Sequence, residues 1–274
     1  MHRDARYSRF VSKTSADLCG RVLENHSAQT HLFLKMVRQN WFQPIAKLIE
    51  RITIPGILLH YALRKKCIGE QARSALNDRV AQLVILGAGF DPLSSELQCE
   101  FPAAQFWEID HPATQRYKVR AWSEIEVQRL HFVAIDLGAA GLDGDALIDS
   151  GFDPAKPTFW VAEGLLMYFT ADIVSSLINT LSSLSAAGSQ FAFTFMEQQQ
   201  DDHIRFDSQT KLVDYWLRIR GEPFLWGSTQ SELAKIIRPW RVNRFFDHND
   251  LREMASDLSD EVIAKGEVIC LAAI

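Results

Sequence analysis

From residue 82 onward the chain alternates between two periods, and that alternation constrains its fold more than any other feature. Short, nearly continuous apolar runs at 82–86 (QLVIL), 104–109 (AQFWEI), 131–135 (HFVAI), 157–163 (PTFWVAE) and 190–196 (QFAFTFM) read as strands. Between them lie segments with apolar residues at three- and four-residue spacing, including candidate helices at 112–128 and 171–186. A strand that is apolar on both faces has to be covered on both faces. A helix between successive strands supplies that cover and lets the strands run parallel. The expected fold is α/β, a doubly wound and mostly parallel sheet.

The flanks follow another rhythm. Residues 14–77 read as helical, divided by Pro44 and Pro55. Residues 203–238 interrupt the alternation with a helical, tryptophan-bearing stretch, after which "RVNRFF", a helix from about Asn249 and "EVICLAAI" resume it. The implied organisation is one structural domain: an N-terminal helical lid over 1–77 and a core over 78–274, with a helical insertion at about 200–240. A chain of 274 residues, 47% hydrophobic and 23% charged, is large enough to bury such a core.

Composition also narrows the partners. A net charge of −5 and a pI near 5.9 give no general electrostatic case for binding nucleic acid or an anionic membrane. The four cysteines, Cys19, Cys67, Cys99 and Cys270, lack metal-ligand spacing, so neither a metal site nor a disulfide framework is expected. The basic stretch "MHRDARYSRFVSKTSADL" is not followed by the apolar run of a signal peptide. No segment approaches the ~18 apolar residues of a membrane span. A cytoplasmic location is the expectation.

The first strand runs into "LVILGAGFDP", where Gly87 and Gly89 precede Asp91 and Pro92. Two glycines at this spacing permit a tight turn and leave the backbone open to close approach. Their place, the carboxyl end of the first strand, is where doubly wound folds bind ligands. Some twenty residues on, "FWEID" ends in Asp110, placed to accept hydrogen bonds from ribose hydroxyls. "VAIDLG" puts Asp136 and Leu137 after the third strand, fitted to an adenine amino group and ring. "FWVAEGLLMYFT" puts Glu163 and Gly164 after the fourth, with Tyr168 close behind. Four successive strand ends thus carry polar or glycine residues that a core does not require, and the set points to a nucleoside-bearing cofactor. The third glycine of the dinucleotide fingerprint is missing, since position 92 is proline.

In order and spacing, "HYALRKKCI", "VILGAGFDP", "FWEIDHPATQRYK", "AIDL" and "VAEGLLMYF" resemble the leucine carboxyl methyltransferase-like family of class I S-adenosylmethionine-dependent methyltransferases, over roughly residues 55–200. "GEPFLWG" at 221–227 is similar to bacterial members of unassigned substrate. The resemblance implies a seven-stranded sheet whose last strand is antiparallel, and S-adenosylmethionine as cofactor. It also implies roles: Arg64 on the methionine carboxylate with Tyr61 beside it, Gly87 and Gly89 as the glycine turn, and Asp110 on the ribose. Asp136 and Leu137 fall at the adenine, and Glu163 near the amino acid moiety. Family members commonly read GAGFDTR, whereas Asp91 here is followed by Pro92-Leu93-Ser94-Ser95.

Methyl transfer from a sulfonium needs alignment more than acid–base power. A carboxylate acceptor is nucleophilic as it stands, while a phenol or alcohol calls for a general base. His111 in "DHP" reads as a turn residue rather than a base, and His203 has similar standing. The insertion offers Tyr215, Trp216, Phe224 and Trp226 among Arg205, Arg218 and Arg220. With Tyr168, the residues Trp216, Trp226 and Arg220 are the candidate acceptor contacts, fitted to a partly apolar, anionic small molecule. The expected reaction is O-methylation of a small molecule, with a protein C-terminal carboxylate as the alternative acceptor. A nicotinamide-dependent oxidoreductase and a non-catalytic nucleoside-binding module are the other classes consistent with the glycine turn.

Overall fold

The computed structural model describes residues 7–10, 13–26, 28–39, 41–122, 129–199, 203–258 and 260–274. Its centre is a sheet in which β1 (Gln82–Leu86), β2 (Gln105–Asp110), β3 (Leu130–Ala134), β4 (Thr158–Ala162) and β5 (Gln190–Glu197) run parallel. β6 (Gly227–Ser228) is a two-residue strand beside the end of β5, and β7 (Arg241–Phe246) and β8 (Glu267–Ala273) complete the sheet. The order is β3-β2-β1-β4-β5-β8-β7, with β8 antiparallel to both neighbours. Chain order reverses between β1 and β4, which opens a crevice above the carboxyl ends of β1 and β2. The expected seven strands and the antiparallel last strand are present; β6 is a small addition that extends the edge of β5 past the end of β4.

The period of β1 explains the two layers. Leu83 and Ile85 point to one core, with Leu63, Cys67 and Leu97. Val84 and Leu86 point to the other, with Trp107, Trp160 and Leu181. Helices α5 (Leu93–Glu100) and α6 (Pro112–Trp122) follow β1 and β2. α7 (Gly144–Asp149) and α8 (Ala171–Ser183) precede and follow β4. Residues 123–128, read as the end of the helix after β2, lie outside the described residues.

The N-terminal helices are α1 (Lys13–His26), α2 (Ala28–Val37), α3 (Phe42–Thr53) and α4 (Ile57–Asn77). Pro44 does not divide them. It occupies the first turn of α3, where a missing N–H costs nothing. Pro55 does fall at a break. α4 buries Leu59, Leu63, Cys67 and Ile68 in the first core, so it belongs to the sheet's packing layer. The insertion contains α9 (Lys211–Arg220), β6 and α10 (Gln230–Ile236), with residues 200–202 outside the described set. A short α11 (His248–Glu253) follows β7 and packs on α4.

Between α3 and α4 the chain turns at Gly56, whose φ is +82°. A Cβ there would lie 2.6 Å from the Val262 carbonyl oxygen and 2.7 Å from the Ala264 nitrogen. Gly56 and Ala264 also share a backbone hydrogen bond of 3.2 Å. Gly56→Ala should therefore cost about 1–3 kcal/mol in thermal unfolding, from backbone strain and the steric clash. Gly141→Ala, also at positive φ but with open space around it, should cost less in the same assay.

Candidate active site

Gly87 (φ +61°) and Gly89 (φ +48°) both take left-handed conformations after β1. A Cβ on Gly89 would meet no atom closer than the Gly87 carbonyl oxygen at 4.0 Å, so the turn presents bare backbone to open space. Asp110 closes this turn from the neighbouring strand. One of its carboxylate oxygens accepts from the Gly89 N–H, and the other accepts from the His111 N–H at 2.6 Å. Asp136 follows β3, where its Oδ1 accepts from the Gly138 and Ala139 N–H groups at 3.1 Å each. Its Oδ2 lies 3.7 Å from His111 Nε2. Leu137 is buried in the second core. His111 is a turn residue: its Nδ1 accepts from the Ala113 N–H at the start of α6.

The fourth strand end is bound into an ion network that the sequence did not disclose. Arg64, on α4, donates from Nε to Glu163 Oε1 at 2.8 Å. Its Nη1 reaches both oxygens of Glu267, at 2.9 and 2.8 Å. The guanidinium carbon stands 4.5 Å from the Tyr61 ring centroid. Gly164 gives the guanidinium room, because a Cβ there would come within 3.4 Å of Nη2. Lys65 continues the chain of charges, donating to Asp91 Oδ2 at 2.7 Å and Glu163 Oε2 at 2.9 Å. Glu267, the first residue of β8, is also held by His60 Nε2 at 2.8 Å. Asp91 turns back to accept from the Leu93 N–H, so Pro92-Leu93 begins α5 here.

Burial alone would lower the Arg64 pKa, but Glu267 and Glu163 more than offset it and hold the guanidinium charged. Burial works against the Glu267 carboxylate too, and Arg64 with His60 outweighs it, bringing its pKa down to about 2. Burial pushes the Tyr61 phenol up to about 12.

Arg64, Tyr61, Glu163, Gly87, Gly89, Asp110 and Asp136 thus gather along one crest above the sheet. Glu267, His60 and Lys65 join them, unforeseen. Lys65 sits in an "RKK" triplet that reads as a solvated helix face, and Glu267 lies two hundred residues from its partners in sequence. The candidate acceptor residues do not form one wall. Trp226 is 5% exposed and packed in the second core, whereas Trp216 is 51% exposed on α9 with Arg220 over its ring at 5.4 Å. Tyr168 packs on Phe224, ring centroids 5.7 Å apart.

Beside the crest lies a cavity of about 1070 Å³ between α1–α3 and the core, lined on the core side by Tyr61, Arg64, Lys65, Asp91 and Glu163. Among the described residues no cluster of potential metal ligands is present, and no helix is long and apolar enough to cross a membrane.

The strand order, with β8 antiparallel to both neighbours, is that of the class I methyltransferase fold. A model of the family described as leucine carboxyl methyltransferase matches residues 2–182, and the chain belongs to that family. Two relatives, from Mycolicibacterium smegmatis and Mycobacterium bovis, carry names beginning "Putative S-adenosyl-L-methionine-dependent methyltransferase". The first is 35% identical over 57% of this chain and 51% of its own length. The second is 29% identical over 74% and 68%. The chain therefore aligns with about half to two thirds of the length of these relatives. A "putative methyltransferase" from Thermobifida fusca YX has the same fold, with a TM-score of 0.60 at 13% identity, covering 99% of this chain and 98% of that one. A duf574 family protein from Streptomyces avermitilis matches with a TM-score of 0.60 at 14% identity, covering 93% and 96%.

The sign of the Glu267 shift sets a pH dependence. Its pKa falls from an ordinary 4.5 to about 2, so the network's stabilisation is complete above the ordinary value and is lost as pH falls towards about 2. Glu267→Gln should destabilise the fold by about 3 kcal/mol at neutral pH. It should also flatten the decline in stability between pH 4.5 and 2 relative to the parent protein, as followed by denaturant unfolding across that range.

Proposed function

We propose that the protein transfers the methyl group of S-adenosylmethionine to an oxygen of a small molecule, a carboxylate ahead of a hydroxyl. The observation that carries this reading is the cavity that opens directly from the methionine end of the crest. It is larger than most drug-sized ligands need and is bounded by the lid helices.

The residues present fit the cofactor. The bare backbone at Gly87 and Gly89 allows close approach, Asp110 suits the ribose diol, and Asp136 with the Leu137 segment suits the adenine. Glu163 and Asp91 provide anionic partners for an ammonium group. The Arg64 fork is largely committed to Glu163 and Glu267, so an incoming carboxylate would meet its Nη2 edge together with the one Lys65 hydrogen not bonded to Asp91 or Glu163. When bound, the cofactor supplies an electrophilic sulfonium methyl. The chain's own tasks are to bind both ends, fix the acceptor in line and exclude water.

The cavity lining supports the carboxylate preference. Among the described lining residues there is no histidine, the carboxylates nearest the crest, Asp91 and Glu163, are held by Lys65 and Arg64, and burial raises the pKa of both the Cys19 thiol and the Tyr61 phenol. The thiol and the phenol are not suited to take a proton at neutral pH and the two carboxylates are already paired, whereas a carboxylate acceptor has no proton to lose. Basic side chains on the lid, Lys13 and Lys47, complement an acceptor of that charge. The family's matched region ends at residue 182, before the insertion, so the acceptor is not carried over from the family.

Calorimetry with S-adenosylhomocysteine tests the cofactor assignment. Asp110→Ala should weaken binding by about 1.5–3 kcal/mol, the scale of hydrogen bonds to a charged group. Asp110→Asn, which keeps an acceptor for the Gly89 N–H, separates the loss of ribose contact from loosening of the turn. Affinity unchanged in both variants would refute the placement.

Incubation with methyl-labelled cofactor and a metabolite extract tests the acceptor. Label is expected on a small acid, in a base-labile linkage. Label on a protein C-terminus alone would overturn the small-molecule reading and leave the methyltransferase standing.

A further inference from the structure

Amphipathic helices ordinarily turn their apolar stripe inward. Two helices here carry such a stripe outward. On α3, Ile45, Leu48, Ile49 and Ile52 fall at i, i+3, i+4 and i+7, with Trp41 one turn before, and every one is exposed. The opposite face of α3, through Gln43, Ala46 and Lys47, lines the cavity. On α9, Leu212, Tyr215, Trp216 and Ile219 repeat the same spacing and are exposed, while Val213 and Leu217 anchor the helix inward. Exposure across the two stripes runs from 40% at Ile45 to 66% at Ile219.

The stripes are neighbours. The Thr210 N–H at the start of α9 donates to the Thr53 carbonyl at the end of α3 at 3.2 Å. The Thr210 hydroxyl donates to the Ile52 carbonyl at 3.1 Å. Leu32 and Phe33 on α2 extend the surface, with Phe33 edge-on to Phe42 at 6.0 Å. Contiguous apolar side chains left bare in this way mark interaction surfaces.

The exposed charges on these helices have one sign. Lys35, Arg51, Lys211, Arg218 and Arg220 are exposed beside the stripes. The acids within the same helices are drawn inward: Glu50 accepts from the Leu58 N–H at 3.0 Å, and Asp214 accepts from Gln209 at 2.5 Å. A protein of net charge −5 has thus collected cations around this apolar face. The overall balance, which argues against an anionic surface as partner, averages over this asymmetry.

We propose that this α2–α3–α9 face is a peripheral docking surface for an anionic lipid bilayer, lying in the headgroup region without spanning it. Aromatic and aliphatic side chains ringed by lysine and arginine match that interface, the apolar atoms entering the acyl boundary and the cations meeting lipid phosphates. A second copy is a poorer occupant. Twofold self-docking would set the same basic rim against itself.

Flotation of the full chain with vesicles tests the proposal, using equal parts phosphatidylglycerol and phosphatidylcholine against phosphatidylcholine alone. Binding is expected to the anionic vesicles, weakening as salt screens the cations. Ile49→Glu combined with Ile219→Glu should reduce partitioning roughly tenfold or more, while Ile148→Glu, outside the patch on α7, should leave it unchanged. S-adenosylhomocysteine binding reports whether the double variant is folded; if it is not, the lipid and salt arms on the parent protein decide. No binding to anionic vesicles at low salt, or binding indifferent to the double variant once folded, would overturn the proposal. So would a concentration-dependent dimer that the double variant abolishes in the absence of lipid binding.

Discussion

The buried guanidinium of Arg64 is the contact on which the rest of the site depends. It joins α4 to the end of β4 through Glu163 and to the start of β8 through Glu267, elements separated by about one hundred and two hundred residues. A lone buried charge would cost several kcal/mol to desolvate, so none of the three groups could occupy this position without the others. Hydrophobic packing would hold α4 on the sheet equally well. What the ion network adds is direction, since the donor atoms of a planar guanidinium fix the rotation of α4 and the height of the Glu163 carboxylate together.

That arrangement constrains the crest in the absence of any ligand. Gly164 lies against the guanidinium, and its N–H donates to the Thr194 hydroxyl on β5 at 2.8 Å. At the other end, Asp110 pins Gly89 from the adjacent strand. The two ends of the proposed cofactor site are thus set by separate devices, an ion network at the amino acid end and a carboxylate–amide clasp at the nucleoside end. Preorganisation of this kind reduces the entropy lost on binding.

The parts legible in the sequence were those governed by local rules. β1 was read to the residue and the other parallel strands to within one, because a buried parallel strand is a continuous apolar run that few other structures produce. The glycines and acids of the crest were legible because each sits at a strand end, where the core has no use for them, whereas Arg64 and Tyr61, on α4, were reached only through the family resemblance. Glu267 and His60 were not, because each lies inside a segment that already reads as strand or helix, and only the tertiary fold brings them to Arg64. Pro44 was misjudged for a related reason. A proline breaks a helix only beyond its first turn, and where a helix begins depends on contacts that a periodicity does not contain.

The insertion shows most clearly where local reading ends. Its aromatic residues are similar in composition and close in sequence, yet they divide between opposite environments: Trp226 and Phe206 inward, Tyr215 and Trp216 outward. Helical spacing predicts that Val213 and Leu217 share one face while Tyr215, Trp216 and Ile219 share another. It does not say which face meets protein. That choice falls to the surface against which α9 docks, and here the smaller residues were chosen for the inside. A helix whose larger apolar face is left outward retains a driving force for burial that the chain itself does not satisfy. The lid helix α3 and the insertion helix α9 share this property, and the backbone hydrogen bond from Thr210 to Thr53 sets their outward faces side by side.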